Sequence, residues 1–458
     1  METSRTGAFV YCKVDPMKPF IILLIFPFFS TAQQLVPSSY TVISSGTTEG
    51  YDRPRVVVTA NNNPFIIWSK ASSPKAIRAK KWNGTSFGNT IDLVTSDFMP
   101  TGFIGPEIAS KGDTVYLIFE SLLHNNHIIY LKRSYDGGVT FSDTIRVSED
   151  SDSHKYAMPN VAVREDGNPV ISYMQCLPNW TDWKQTTRTS FDFGQTFSAA
   201  TDVSVLAPGE PCDCCQSTIV TNGNSDIFLL FRNDDNNVRN SYIAKSNDGG
   251  VTFTTTEDLD DVNWVLNACP TSSPVGAIIG DSIMVVRRNG GSGVNELYKS
   301  NVNMNDLQTS YFLQVDGSGS PLQDKPEIST DNNYFITVWE ENRNGVKECF
   351  YNIMDNNGVS MHNGIISDTN TFGHKIEPDI AYVDGENFAI TYTALNQQEV
   401  YFVFATLADF VSVGEISNQN RRIVRSVDVL GKTIIPQNNI PFINIYDDGS
   451  IERKVIIE

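Results

Sequence analysis

The sequence predicts an all-β fold: a single-ring β-propeller of four-stranded blades, seven by count, followed by a small C-terminal β-sandwich-like segment. Three observations predict it. A turn motif recurs as Ser134-Tyr135-Asp136-Gly137-Gly138-Val139-Thr140-Phe141, Ser190-Phe191-Asp192-Phe193-Gly194-Gln195-Thr196-Phe197 and Ser246-Asn247-Asp248-Gly249-Gly250-Val251-Thr252-Phe253, each copy 56 residues after the last. Around it runs a longer repeat of roughly 50 residues, the period of a blade array. The composition agrees, with 31 glycines and 21 prolines in 458 residues and no long helical period.

Each unit opens with a short β-branched run, often after proline: Pro54-Arg55-Val56, Pro106-Glu107-Ile108, Pro159-Asn160-Val161, Cys215-Gln216-Ser217-Thr218-Ile219, Pro274-Val275, Pro326-Glu327-Ile328 and Pro378-Asp379-Ile380. A polar turn follows, then an apolar strand over 115–119, 170–173, 227–231, 283–286, 335–339 or 388–392. A third strand leads into the turn motif where one exists. There the Asp carboxylate is placed to accept backbone N–H groups of its own turn, the glycine supplies a positive φ, and the Phe pins the hairpin to the sheet. The motif folds a tip and carries no chemistry. The last unit ends near Leu407 without a fourth strand, and residues 40–45 are expected to supply it.

The ends read as addresses. Met17-Lys18, an apolar run over 19–29 and Ser30-Thr31-Ala32 have the order of a secretory signal peptide. The run is too short for a stable bilayer anchor. Residues 1–32 are therefore expected to be leader and signal peptide, with Cys12 lost from the mature chain, 33–410 the propeller, and 411–458 a separate tail. That tail carries Val427-Asp428-Val429-Leu430-Gly431-Lys432 and a hairpin signal at Asp447-Asp448-Gly449. It resembles the C-terminal sorting domain of proteins exported by the type IX secretion system of Bacteroidetes. The resemblance implies contact with that machinery, removal of the tail, and a secreted or cell-surface product without a transmembrane anchor. The formal charge of −19 argues against nucleic acid as a partner.

In antiparallel units the start of the first strand and the end of the second share one rim. Directly after the opening proline come Arg55, Glu107, Asn160, Glu327 and Asp379; fourteen residues after it come Trp68, Glu120, Tyr173, Arg288, Glu340 and Tyr392, with Arg232 equivalent in the fourth unit. One rim thus gathers arginines, carboxylates and tyrosines, although wet strand ends alone explain any single member.

The Ser-x-Asp-x-Gly-x-Thr-Phe motif resembles the Asp box of sialidase-type β-propellers, with Phe where Trp is commoner. The resemblance implies three arginines on a substrate carboxylate and a tyrosine nucleophile relieved of its proton by a carboxylate. Here the arginines would be Arg55 (or Arg53), Arg232 and Arg288 (or Arg287), beside Glu107, Glu327 and Asp379. The nucleophile would be Tyr392 or Tyr173, with Glu120 or Glu340 as its partner. Two departures stand out: that family usually has six blades, and its Arg-x-Pro is replaced by Arg53-Pro54-Arg55. The implied function is action on extracellular glycans as a monomer, with hydrolysis of terminal acidic sugars of the exo-α-sialidase type. The alternative is a non-catalytic carbohydrate-binding or adhesin propeller, with Trp68, Trp180 and Trp183 as platforms. No cofactor is implied.

Cysteines form a second cluster: Cys212, Cys214 and Cys215 open the fourth unit, Cys269 precedes the fifth, and Cys176 ends a strand of the third. In an exported protein disulfides are the default, and Cys269 is expected to bridge back to the 212–215 segment. Adjacent Cys214 and Cys215 bridge each other only with strain. A thiolate metal site is the runner-up, but Cys-x-Cys-Cys is not a common zinc spacing, and no metal is assigned.

Overall fold

The computed structural model describes residues 33–44, 51–100, 104–122, 127–149, 153–319, 322–409, 423–428, 431–437, 441–446 and 451–454. The expected signal peptide and the hairpin tip at Asp447-Asp448-Gly449 lie outside them.

Seven antiparallel sheets follow one another along the chain. Their innermost strands begin at Tyr51–Thr59, Glu107–Lys111, Lys155–Val163, Thr218–Asn222, Val275–Ile279, Gln323–Thr330 and Lys375–Asp384. Each inner strand neighbours the next, and the seventh neighbours the first, so the sheets close into a seven-bladed propeller. Blade seven is completed from the N-terminus, where Gln33–Pro37 pairs with the outer part of Glu399–Asp409. Thr41–Val42 adds a shorter pairing to the same strand. The closing segment was expected over 40–45; the main pairing is earlier, and Ser45 lies outside the described residues. Leu35 drives it: the side chain is buried among Tyr351, Leu407 and Tyr392, a burial that stabilises by about 2 kcal/mol. A three-stranded sheet, Ile423–Val427, Phe442–Tyr446 and Ile451–Lys454, lies at the C-terminal end of the chain.

The second strand of every blade is covered on both faces by neighbouring blades, so it is buried along most of its length and mostly apolar. Phe65, Ile66, Ile67 and Trp68 are all buried. This overrides the expected rim positions. Trp68 belongs to the core between blades seven and one, Tyr173 to that between blades two and three, and Tyr392 to that of blades six and seven. A sheet end points at open space only if no neighbouring blade covers it, and here one does.

The three turn motifs close third strands in blades two, three and four. In each, one Asp oxygen accepts two backbone N–H groups and the other accepts a threonine hydroxyl: Val139 at 3.0 Å, Thr140 at 2.9 Å and Thr140 Oγ1 at 2.6 Å for Asp136. The same set surrounds Asp192 and Asp248. The motif glycine has φ of 84° at Gly138, 77° at Gly194 and 90° at Gly250. A Cβ there would strike the preceding blade, on Phe65, Leu131 and Val170 respectively. The aromatic that ends the first copy lands on that blade too, with Phe141 and Phe65 centroids 6.0 Å apart. Each tip therefore staples its blade to the one before.

Candidate active site at the mouth of the ring

Four inner strands are interrupted just before their opening proline. Register shifts fall between Asp52 and Arg55, Ala157 and Asn160, Asp324 and Glu327, and Ile376 and Asp379. In each, the residue directly before proline is left-handed: Arg53 (φ 47°), Met158 (54°), Lys325 (52°) and Glu377 (52°). None is glycine, so each site stores roughly 1–3 kcal/mol of strain. The bulge breaks the alternation, so that residues on both sides of the proline reach the axis.

There they line one cavity of about 180 Å³, to which all seven inner strands or the residues leading into them contribute. Its polar lining is Arg53 and Arg55 (blade one), Glu107 (two), Asn160 (three), Gln216 and Thr218 (four), Ser273 (five), Lys325 and Glu327 (six), and Glu377 and Asp379 (seven). Arg55 Nε donates to both Glu107 oxygens, at 3.1 and 3.3 Å, and its Nη2 lies 3.3 Å from Glu327 Oε1. Arg53 reaches Glu107 and Gln216, and Gln216 in turn donates to the Pro159 carbonyl. Asp379 accepts the N–H groups of Val56, at 2.7 Å, and Ile380, at 2.8 Å, one on each oxygen.

Crowding buried carboxyls against few cations spreads their acidities. Burial, with Arg55 opposing and Asp379 adding repulsion, pushes Glu327 up to about 7. Burial and the adjacent Glu377 carboxylate push Asp52 up to about 8. Glu377 goes the other way: against its own burial, the Asp52 hydrogen bond and the charges of Lys325, Arg53 and Arg55 hold it below the usual range. Asp52 and Glu377 thus share a proton, as close carboxyl pairs do. Desolvation, with Arg55 adding repulsion, brings Arg53 down to about 9.

Of the residues expected at the site, Arg53, Arg55, Glu107, Glu327 and Asp379 come together here. Glu340 stands behind them, accepting the Glu377 N–H at 3.1 Å and pairing with Lys347. Glu120 is buried against His127 at 2.6 Å, outside the cavity lining. The other arginines are spent elsewhere. Arg232 donates to the carbonyls of Arg239 and Arg288, Arg287 is fully buried on Asp260 at 2.8 Å, and Arg288 pairs with Asp324 at 2.7 Å. Among the described residues Tyr392 donates no proton to a carboxylate; its hydroxyl accepts the Asp368 N–H at 3.0 Å. Tyr173 packs edge-on to Tyr156, 5.7 Å between centroids. Burial pushes both phenols well above their ordinary value.

The expected cysteine bridge is not formed. All six described cysteines are free thiols, and Cys269 Sγ sits 4.0 Å from Asp213 Oδ1. Cys212, Cys214 and Cys215 instead turn in on one another because the segment entering blade four folds into a tight turn, with the Cys215 N–H on the Cys212 carbonyl at 3.1 Å.

Sequence reasoning overlooked Asp52, Gln216, Lys325 and Glu377. The signal that finds three of them is the repeated X-Pro at the head of the unit: Arg53-Pro54 marks Asp52, and Lys325-Pro326 and Glu377-Pro378 name themselves.

No protein-family model matches the chain, and no curated protein matches it. Solved structures with a similar fold include a protein of unknown function from Dyadobacter fermentans DSM 18053, with TM-score 0.50 and 12% identity over 82% of this chain and 100% of that one. They also include the polysaccharide lyase Uly1, with TM-score 0.50 and 9% identity over 80% of this chain and 91% of that one. The NanB sialidase from Streptococcus pneumoniae is a more distant neighbour, with TM-score 0.42 and 11% identity over 81% of this chain and 70% of that one. At such identities the likeness shows the fold alone.

Proposed function

We propose that this is an exported, glycan-acting propeller that takes the end of a sugar chain into the axial mouth and hydrolyses it there. The observation that carries the reading is the cavity itself. Seven inner strands converge, four through strained bulges, on carboxyls whose acidities are driven apart. Its volume of about 180 Å³ lies below the roughly 300–1,000 Å³ of small-molecule sites, which suits a terminal residue rather than several.

Hydrolysis of a glycosidic bond needs one carboxyl that is still protonated at working pH and one that is ionised. Glu327, pushed up to about 7, protonates the leaving glycosidic oxygen as its bond to the anomeric carbon breaks. The Asp52–Glu377 pair accepts the proton of the attacking water. Arg55, Arg53 and Lys325 favour an acidic sugar. The Arg55–Glu327 contact, 3.3 Å, is matched in length only by the longer of Arg55's two bonds to Glu107, and a sugar carboxylate placed on Arg55 frees Glu327 for its task. The exo-α-sialidase form of the reaction is the first to assay, with a water activated by the carboxyl pair attacking where that family uses a tyrosine nucleophile, since no tyrosine is among the residues that line the cavity.

A binding role is favoured by one separate feature. Trp180 is exposed, its ring lies 4.1 Å from Lys155 Nζ and 5.8 Å from the Trp183 ring, and it forms a platform on which a sugar face can stack. Trp68, buried in the core, offers none. The test is a panel of sialosides, uronides and acidic polysaccharides against the native chain and Glu327→Gln. Turnover lost in the variant with binding retained supports hydrolysis. No turnover together with glycan-array binding assigns the binding role, and silence in both assays leaves an adhesin for protein.

A further inference from the structure

Where blade four begins, the inner strand is broken. Glu210–Pro211 pairs with Asp234 and Asn233, a turn occupies 212–217, and the strand resumes at Thr218. That turn brings three buried sulfurs together. Cys212 Sγ lies 3.0 Å from Cys215 Sγ and 3.5 Å from Cys214 Sγ. On the open side, Cys214 Sγ also comes within 4.8 Å of an Asp213 oxygen and of Cys269 Sγ.

Donors face two of the three sulfurs. Arg239 Nη1 points at Cys212 Sγ from 3.4 Å, the Ser272 N–H is directed at Cys215, and the charge of Arg232 faces the same thiol. A disulfide would neutralise two sulfurs, leave the third buried beside them, and give these donors little to bind. A soft cation uses all of them.

We propose that Cys212, Cys214 and Cys215, completed by Cys269, bind one zinc ion. On binding, four thiols release four protons to solvent and no electron moves. The resulting charge of −2 is offset by Arg232 and Arg239. In a tetrahedral site with Zn–S of about 2.3 Å the sulfurs sit about 3.8 Å apart, so among the three turn cysteines the present 3.0 and 3.5 Å need displacements of less than about 1 Å, while Cys269, within 4.8 Å of Cys214 but not of Cys212 or Cys215, has further to move. The site is structural and has one functional consequence. Gln216, next in sequence to Cys215, holds Arg53 in the mouth, so the metal fixes that side chain's approach.

The experiment is elemental analysis of the full chain, purified with and without reductant and dialysed against a mild chelator, followed by cobalt exchange. The expected result is one zinc per chain and, with cobalt, a thiolate charge-transfer band. Both should be lost in Cys214→Ser. Cys269→Ser, at an exposed position, should keep the fold and weaken zinc binding by at least about tenfold. Absence of zinc from both preparations overturns the proposal. So does a Cys212–Cys215 bridge in non-reducing peptide maps, or zinc bound equally well by both variants.

Discussion

The same side chain does opposite work at the two ends of this molecule's blades. At the stapling tips, Asp192 is surrounded by donors: the Thr196 hydroxyl and N–H, the Ser190 hydroxyl and the Gln195 N–H hold it down to about 2. Asp136 is held at about 2 by the equivalent set despite slight burial. At the mouth, Glu327 and Asp52 also have a donor each, Arg55 and the Arg53 N–H, but neighbouring carboxyls crowd them, and burial drives them to about 7 and about 8. A carboxylate whose lone pairs are all answered is architecture. One left with unanswered charge in a cavity is poised to move a proton.

The sharpest way to break this contrast is exchange of one carboxyl in each region. Glu327→Gln is expected to cost about 10²–10⁴ in turnover on whichever acidic glycan is cleaved, with binding preserved. Asp192→Ala should leave turnover unchanged, as steady-state assays of both variants will show.

Stability should rank the regions differently. Arg55→Met takes the guanidinium from Glu327 and leaves buried Glu107 with Arg53 alone, and urea unfolding should report a loss of about 3–5 kcal/mol. Asp136→Ala removes hydrogen bonds at an exposed tip and should lose about 1–2 kcal/mol.

The smallest effect is the most diagnostic, because its sign differs between the regions. Glu327 binds its proton more tightly folded, at about 7, than unfolded, near 4.3, so its contribution falls as pH rises across that window. Asp192 is depressed to about 2 from about 3.9, so its stabilisation is full above about pH 4 and is lost as pH falls toward 2. Thermal midpoints against pH should flatten on the alkaline side in Glu327→Gln and on the acid side in Asp192→Asn.

The tips were legible because a hairpin that donates to its own Asp is encoded within eight contiguous residues, and three copies fix the spacing. The seven-unit count followed from the same repetition. Half of the mouth was legible too, since Arg55, Glu107, Glu327 and Asp379 follow the opening proline and strand alternation carries them inward. Lys325 and Glu377 were not. They precede the proline, and only the left-handed bulge turns them to the axis, which simple alternation does not anticipate. Tyr173 and Tyr392 misled for a tertiary reason: the register placed them at strand ends, and neighbouring blades cover those ends. Gln33–Pro37 adjoins the signal-peptide pattern, and its pairing with the last strand is a contact over the whole ring.

The central claim is that the mouth holds protonated carboxyls near neutral pH. Infrared difference spectroscopy of the native chain and Glu327→Gln, titrated from pH 5 to 9, measures this without a substrate. The account predicts a protonated-carboxyl band that disappears around pH 7–8 in the native chain and loses its lower-pH component in the variant. A native spectrum in which every carboxyl is already ionised at pH 5 would contradict it.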